Sequence, residues 1–372
     1  EYEKVKDRVL VHERFTEMMQ YLRERIEKGQ DVVLLGSGDP LFFGIGRRLL
    51  REFGPEKVEI LPDLSSMQVA AAKAGIPWDD AFFMSLHGGP IEGQRRQLPY
   101  DLEHIPALLN RYKKIVILTD SEYNPKRIAN ALKDKLPFST AFYVCQKMGY
   151  PDEKVEKLTL EDASERDFQE PNLVIIIKED EHYRDTIFGL TEEDITHKRG
   201  LITKDEIRAV SIHKLRLPYE GVLWDIGAGS GAVSIEAAKL SLFLKVYAIE
   251  KDPEMIETLR ENINILGTPN IEIIETEAPQ DLDQLPPPDR VFIGGSGGRL
   301  REIIEKVSEV MKEGVVVINL SRIELIKEAM DALTKEGFQV DISQVSVSRG
   351  SDLGGLTYLK ALNPVFILRG QR

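Results

Sequence analysis

The chain has 372 residues, 42% of them hydrophobic and 30% charged, with a net charge of −13 and a single cysteine. That length exceeds what one core usually serves and points to two domains, while the acidic balance speaks against a nucleic-acid partner, whose binding rests on basic patches. Cys145 alone makes neither a disulfide nor a thiolate zinc site, the six histidines are scattered, and no apolar run reaches the ~20 residues of a membrane span, so no metal, no membrane and a cytoplasmic location are expected.

In chain order, residues 14–28 have helical composition and residues 31–36 read as a buried strand. Gly38, Asp39 and Pro40 follow, ahead of a helix-like apolar stretch from Leu41. Backbone amides at a strand's C-terminal end are where α/β proteins bind ligands; an N-cap followed by proline explains Asp39 and Pro40 equally well. Ser65 and Ser66 read as caps of the next helix, and Thr119 and Asp120 as the end of another strand. His87 is an acid–base candidate, and Arg95 with Arg96 a candidate carboxylate clamp. The charged, aperiodic stretch 178–200 reads as linker plus entry segment. Thr203, Lys204, Asp205 and Glu206 have capping-box spacing and predict a helix to about Lys214.

Residues 222–250 carry the strongest signal: strand, glycine turn, helix, second strand and a terminal acid, which is a nucleotide-binding βαβ unit. Gly227, Gly229 and Gly231 turn the backbone and let it approach a ligand, with Ala228 and Ser230 between them; Ile235 and Ala238 face a sheet. Glu250 sits where a carboxylate can accept ribose hydroxyls. The glycine spacing fits a dinucleotide or a methyltransferase loop. Asp225, just before the first glycine, suits the cationic end of S-adenosylmethionine better than a pyrophosphate.

Residues 271–274 and 290–293 are expected as strands, with Ala278 beyond the first and a glycine-dense turn around Ser296 beyond the second. Leu300, Ile303, Ile304, Val307 and Met311 have helical spacing and face the sheet. A strand at 315–320, a helix to about Glu336 and two final strands near 338–348 and 356–368, as a hairpin, complete the sheet. Arg299 and Arg349 each stand beside a glycine-rich turn and are candidate carboxylate clamps.

Asp-Ile-Gly-Ala-Gly-Ser-Gly from Asp225, Glu-Ala-Pro at 277–279, Val-Phe-Ile-Gly-Gly-Ser-Gly-Gly at 291–298, Val-Ser-Arg-Gly at 347–350 and Ala-Leu-Asn-Pro-Val-Phe-Ile at 361–367 resemble the decarboxylating precorrin methyltransferases of cobalamin synthesis. Gly-Ser-Gly-Asp-Pro-Leu-Phe-Phe-Gly-Ile-Gly at 36–46, Leu-Ser-Ser-Met-Gln-Val-Ala at 64–70, Ser-Leu-His-Gly at 85–88 and Gly-Tyr-Pro-Asp-Glu at 149–153 are similar to tetrapyrrole methylase domains. The resemblance implies an α/β protein. A two-lobed tetrapyrrole methylase fold over 1–180, its first strand expected to be missing from this chain, is joined by a linker at 181–200 to a Rossmann-like class I methyltransferase over 201–372. Pro62-Asp63 stands where that family has Pro-Gly.

The cofactor so implied is S-adenosyl-L-methionine. In the N-terminal half Gly38, Asp39 and Pro40 would wall its cleft, with Ser65 and Ser66 facing it. In the C-terminal half it would lie over residues 225–231, with Thr203 touching it, Glu250 on its ribose and Ala278 against its adenine. Ser296 would meet the methyl acceptor, a precorrin tetrapyrrole methylated at carbons 5 and 15 and decarboxylated at an acetate arm. One methyl transfer falls to each domain, and a homo-oligomer, tetramer or dimer, is expected. Two other readings stay open: activity in the C-terminal domain alone, and a nicotinamide-dependent oxidoreductase, which only the glycine fingerprint favours.

Overall fold

The computed structural model describes residues 15–36, 38–88, 90–91, 94–95, 98–136, 139–179, 186–198 and 200–372. The chain divides into two compact units, Glu1–Gly75 and Ile76–Arg372. Among the described residues no helix is long and apolar enough to cross a membrane.

Among its described residues the first unit holds three helices, α1 (Phe15–Glu27), α2 (Gly46–Phe53) and α3 (Ser66–Ala74). The buried strand expected at 31–36 does not form: this stretch has no ladder partner among the described residues, and Val33 is 81% exposed. An apolar run without a neighbour to take up its N–H and C=O groups remains merely extended. The next helix starts at Gly46, later than the composition from Leu41 suggests. Asp39 Oδ1 accepts from the amides of Leu41 (2.7 Å) and Phe42 (3.2 Å), and a Cβ on Gly44 would lie 2.5 Å from the Pro40 carbonyl oxygen. This tight turn uses up the first residues of the apolar stretch.

The second unit contains two large sheets. The first runs β1-β4-β7-β5-β6, from β1 (Phe82–Ser85), β4 (Lys114–Leu118), β5 (Thr140–Gln146), β6 (Lys154–Leu158) and β7 (Asn172–Lys178). Only β1 and β4 pair in parallel. Helices α4 (Ile105–Arg111), α5 (Pro125–Leu132) and α6 (Leu160–Ser164) are interspersed with these strands. Leu108, Leu109, Ile128, Leu132 and Ala163 of these helices share a core with Ile115, Ile117, Phe142 and Val174. A short ribbon, β2 (Pro90–Ile91) and β3 (Gln94–Arg95), follows β1 in the chain.

The second sheet has seven strands, in the order β10-β9-β8-β11-β12-β16-β13. Its parallel part comprises β8 (Gly221–Ile226), β9 (Leu244–Glu250), β10 (Ile271–Glu275), β11 (Arg290–Ile293) and β12 (Val315–Leu320). Strand β16 (Val365–Gln371) inserts antiparallel between β12 and β13 (Gln339–Val345). One face packs on α10 (Leu300–Val310) and α11 (Ile323–Lys335), with all five predicted residues from Leu300 to Met311 buried. The other packs on α7 (Asp205–Leu215), α8 (Ala232–Leu240) and α9 (Pro253–Leu266).

The two final strands expected near 338–348 and 356–368 are four. Strands β13 and β16 do pair, and between them the chain makes a separate ribbon of β14 (Ser348–Leu353) and β15 (Leu356–Ala361), turning at Gly354 and Gly355 with φ of 65° and 83°.

The entry to this sheet is tightly held. Leu190 and Ile195 are buried in its core. Glu236, on α8 and 1% exposed, accepts from the amides of Gly189 (2.6 Å) and Leu190 (2.7 Å) and pairs with Arg208 Nε at 2.7 Å. Arg208, fully buried, donates in turn to the carbonyls of Leu190 and Thr203. Every charge in this pair is met by several partners, which buried ions require.

Candidate active site

Strand β8 lies between β9 and β11, so the chain leaves it to one side for β9 and β10 and to the other for β11 and β12. The crevice at such a switch point, off the strands' C-terminal ends, is the ligand position of open α/β sheets. A cavity of about 180 Å³ lies there. It is lined by Gly227, Glu250, Lys251, Glu277, Ala278 and Ser296 among others.

The glycine loop builds one wall. Gly227 has φ of 72°, and a Cβ on it would lie 2.6 Å from the Gly295 carbonyl oxygen and 2.8 Å from Gly295 Cα. The turn after β8 and the turn after β11 therefore touch backbone to backbone, an approach only glycine permits. The amides of Gly227 and Ala228 donate to Ile249 O at 2.9 and 3.1 Å, and Gly231 N to Ala228 O at 2.9 Å. Gly229, with φ of 58°, backs onto open space.

Glu250 ends β9 with its carboxylate oriented entirely by backbone: Gly229 N at 2.8 Å, Lys251 N at 2.9 Å and Asp252 N at 3.0 Å. A carboxylate offers about four acceptor directions, so about one is left for a ligand hydroxyl. Asp225 is 1% exposed and does not line the cavity. Its Oδ2 accepts from Ser234 N (3.0 Å) and Oγ (2.5 Å), fixing the first turn of α8, and its Oδ1 has no partner among the described residues. Burial pushes this carboxyl up to about 6, against the pull of the Ser234 hydrogen bonds.

At the rim, Glu277 joins two cations, Lys251 Nζ at 2.8 Å and Arg299 Nη2 at 3.1 Å, and Lys251 followed by Arg299 holds its carboxyl below the usual range. Ala278 is buried beside it. Arg299 N donates to Ser296 O, so the arginine and the serine belong to one turn. Lys251 is not among the residues expected from the sequence; its one signal there is its place directly after Glu250.

Arg349 is placed elsewhere, at the start of β14. Its guanidinium grips Glu206 through Nε (3.0 Å) and Nη2 (2.7 Å), and Glu192 through Nη1 (2.6 Å). That grip explains why the predicted capping box does not close. Glu206 is turned to Arg349, helix α7 starts at Asp205, and its N-cap, Lys204, makes no side-chain cap bond. Thr203 holds Arg208 Nη1 through its carbonyl at 2.8 Å.

In the first unit, Gly38 (φ of 72°) brings the turn 38–40 against the start of α3: its missing Cβ would lie 3.6 Å from Ser65 Cα and 3.8 Å from Ser66 N. Ser65 closes a capping box with Gln68, Gln68 N donating to Ser65 Oγ at 3.2 Å and Ser65 N to Gln68 Oε1 at 2.9 Å. Ser66 follows in the first turn, half-buried. Elsewhere, His87, Thr119 and Asp120 meet where β1 and β4 end: His87 Nδ1 lies 3.3 Å from Thr119 O, and Gly88 N donates to Asp120 at 3.1 Å. The side chains of Arg95 and Arg96 lie outside the described residues. Among those described, no cluster of His, Cys, Asp or Glu is placed to hold a metal.

Comparison with known proteins yields two family models, "Tetrapyrrole (Corrin/Porphyrin) Methylases" over residues 1–164 and "Precorrin methyltransferase domain" over 194–372. A Sinorhizobium precorrin-6Y C(5,15)-methyltransferase [decarboxylating] is 30% identical over 91% of this chain and 79% of its own length. Among solved structures, a precorrin-6Y C5,15-methyltransferase from Geobacter metallireducens is 38% identical, covering 50% of this chain and 97% of that one at a TM-score of 0.48. The C-terminal domain of the Rhodobacter capsulatus enzyme is 27% identical, covering 50% and 100% at 0.45. On the two family models and the Sinorhizobium relative, the chain belongs to the decarboxylating precorrin-6Y C(5,15)-methyltransferases.

Proposed function

We propose that the chain methylates precorrin-6Y, or its cobalt-bearing counterpart, at carbons 5 and 15 and decarboxylates an acetate arm, in the synthesis of the corrin ring. The observation that carries this is the cavity at the switch point, where a glycine loop, a backbone-oriented glutamate, a buried alanine and a second glycine turn converge. S-adenosylmethionine supplies the methyl group when bound.

The chain's own residues divide the remaining work. Glu250 has a direction left for a ribose hydroxyl, Ala278 leaves room for a flat base, and the 227–231 loop presents an open face at Gly229. The locked contact between Gly227 and Gly295 removes play between the donor wall and the turn that carries Ser296, where the tetrapyrrole would sit. Methyl transfer to carbon needs this in-line holding more than acid–base equipment. Arg299 and Lys251 offer positive charge at the rim, where Glu277 now occupies them; a substrate carboxylate would exchange with that glutamate. Arg349 could receive a carboxylate only by releasing Glu206 or Glu192.

We propose further that residues 1–180 form the tetrapyrrole methylase domain and 201–372 the Rossmann-like one, with 181–200 as the segment that enters the second, held to it from Gly189 onward. The pairing of turn 38–40 with Ser65 and Ser66 supports a second donor site there. Leu356, Tyr358 and Leu359, exposed on the β14–β15 ribbon, support a homodimer or tetramer. The acidic balance supports an enzyme without a nucleic-acid partner, and apolar runs of only strand length support a cytoplasmic one without a membrane span. Titration calorimetry with S-adenosylhomocysteine tests the reading. Two equivalents per chain are expected, with one lost in Glu250→Ala. One equivalent in the native chain would restrict activity to the C-terminal domain, and binding of a nicotinamide dinucleotide in its place would overturn the assignment.

A further inference from the structure

We infer that Asn262 is a positioning residue that ties the segment entering the seven-stranded sheet to the glycine loop, so that the loop's affinity for an adenosyl donor depends on that segment. The inference rests on reading the switch-point cavity as the donor site.

Asn262 is on α9, 1% exposed, and touches neither the cavity nor any residue of the proposed chemistry except through backbone. Its Nδ2 donates to Ser230 O at 2.9 Å and to Thr196 O at 2.8 Å, while its Oδ1 accepts from Thr196 N at 3.0 Å. Engaging both backbone groups of Thr196 fixes which way the amide points, and so aims the remaining N–H at Ser230. Without Thr196 the amide could turn over.

The loop needs such a clamp. Gly227, Gly229 and Gly231 all have positive φ, and glycine gives the backbone little intrinsic stiffness. Most of the loop's peptides are held by strand or carboxylate partners: Gly227 N and Ala228 N by Ile249 O, and Gly229 N by Glu250. The peptide between Ser230 and Gly231 is held at its carbonyl by Asn262 and at its N–H by Ala228 O. Rotating that peptide breaks both bonds and lets Gly229 and Glu250 drift apart.

The segment is anchored on either side of Thr196. Glu236 holds Gly189 and Leu190, and Arg208 holds Leu190 and Thr203. Thr196 is thus a fixed point that orients Asn262, and its own side chain is exposed.

Full-length Asn262→Ala and the isosteric Asn262→Asp, which keeps an acceptor for Thr196 N–H but cannot donate to Ser230, would be compared with Thr196→Ala. Losing this buried donor is expected to weaken S-adenosylhomocysteine binding at the C-terminal site about tenfold. The KM for S-adenosylmethionine should rise in step, with kcat at saturating donor within about twofold of native. Thr196→Ala should match the native chain. Lower melting temperatures with unchanged donor affinity in both Asn262 variants would overturn the inference, leaving Asn262 a purely structural residue. Glu250→Ala separates the two levels. If it abolishes the C-terminal site while the Asn262 variants bind normally, the inference alone falls; if it too binds normally, the reading of the cavity falls and takes the inference with it.

Discussion

Residues 31–36 and strand β8 are both apolar runs that lead through a glycine turn towards a helix, yet their backbones end differently. Strand β8 has β9 on one side and β11 on the other, and its Leu223 and Trp224 are fully buried. Residues 31–36 have no ladder partner among the described residues, and Val33 and Leu35 face solvent. The same contrast holds in the turns. The Gly227 turn is locked against Gly295 at a distance no side chain would allow, whereas Gly38 lies at ordinary van der Waals distance from its neighbours. A strand and its turn become a rigid wall when neighbouring strands complete them, as β9 and β11 complete β8.

Three measurements test whether that contrast holds in solution. Leu223→Ala should cost about 2–5 kcal/mol of stability in denaturant unfolding, and Val33→Ala no more than about 0.5 kcal/mol. Equal costs would mean that residues 31–36 are packed in solution. Next, Gly227→Ala forces a Cβ into the Gly295 backbone and should cost about 2–3 kcal/mol together with most of the donor affinity, against about 1 kcal/mol for Gly38→Ala, where only the positive φ is strained.

The third concerns Asp225, whose burial at the end of β8 lifts its carboxyl to about 6. An acid raised on folding binds its proton more readily in the folded state, so its favourable contribution is complete at low pH and is lost as pH rises through about 4 to 6. Asp225→Asn removes that loss. Its stability relative to the native chain should therefore grow by roughly 2–3 kcal/mol between pH 4 and pH 7.5. Glu206, held low by Arg349, works in the opposite direction and is common to both proteins.

What was legible in the sequence follows the same division. The βαβ unit, the later strands of the sheet and the buried face of α10 could be read because period, length and glycine placement agreed there. Residues 31–36 misled because composition does not reveal whether a partner strand is present. The ribbon β14–β15 was hidden inside one long stretch of strand-like residues, its turn marked only by Gly354 and Gly355. Thr203 and Glu206 have capping-box spacing, but a long-range partner, Arg349, took Glu206 away. Asn262 and Glu236 left a fainter trace. Each is a polar residue on an otherwise apolar helical face, beside Leu259 and Ile263 in one case and Ile235 and Ala237 in the other. Such a residue in such company signals a buried partner without naming it.

The pair of Arg208 and Glu236 also sets where this protein can be cut. A fragment beginning at residue 201 would retain both charges but discard the Gly189 and Leu190 backbone groups that solvate them, leaving a carboxylate and a guanidinium each short of ligands inside a hydrophobic core. Anyone excising the C-terminal half for crystallography or assay should therefore start ahead of Gly189, letting those few extra residues travel with the piece they chemically belong to.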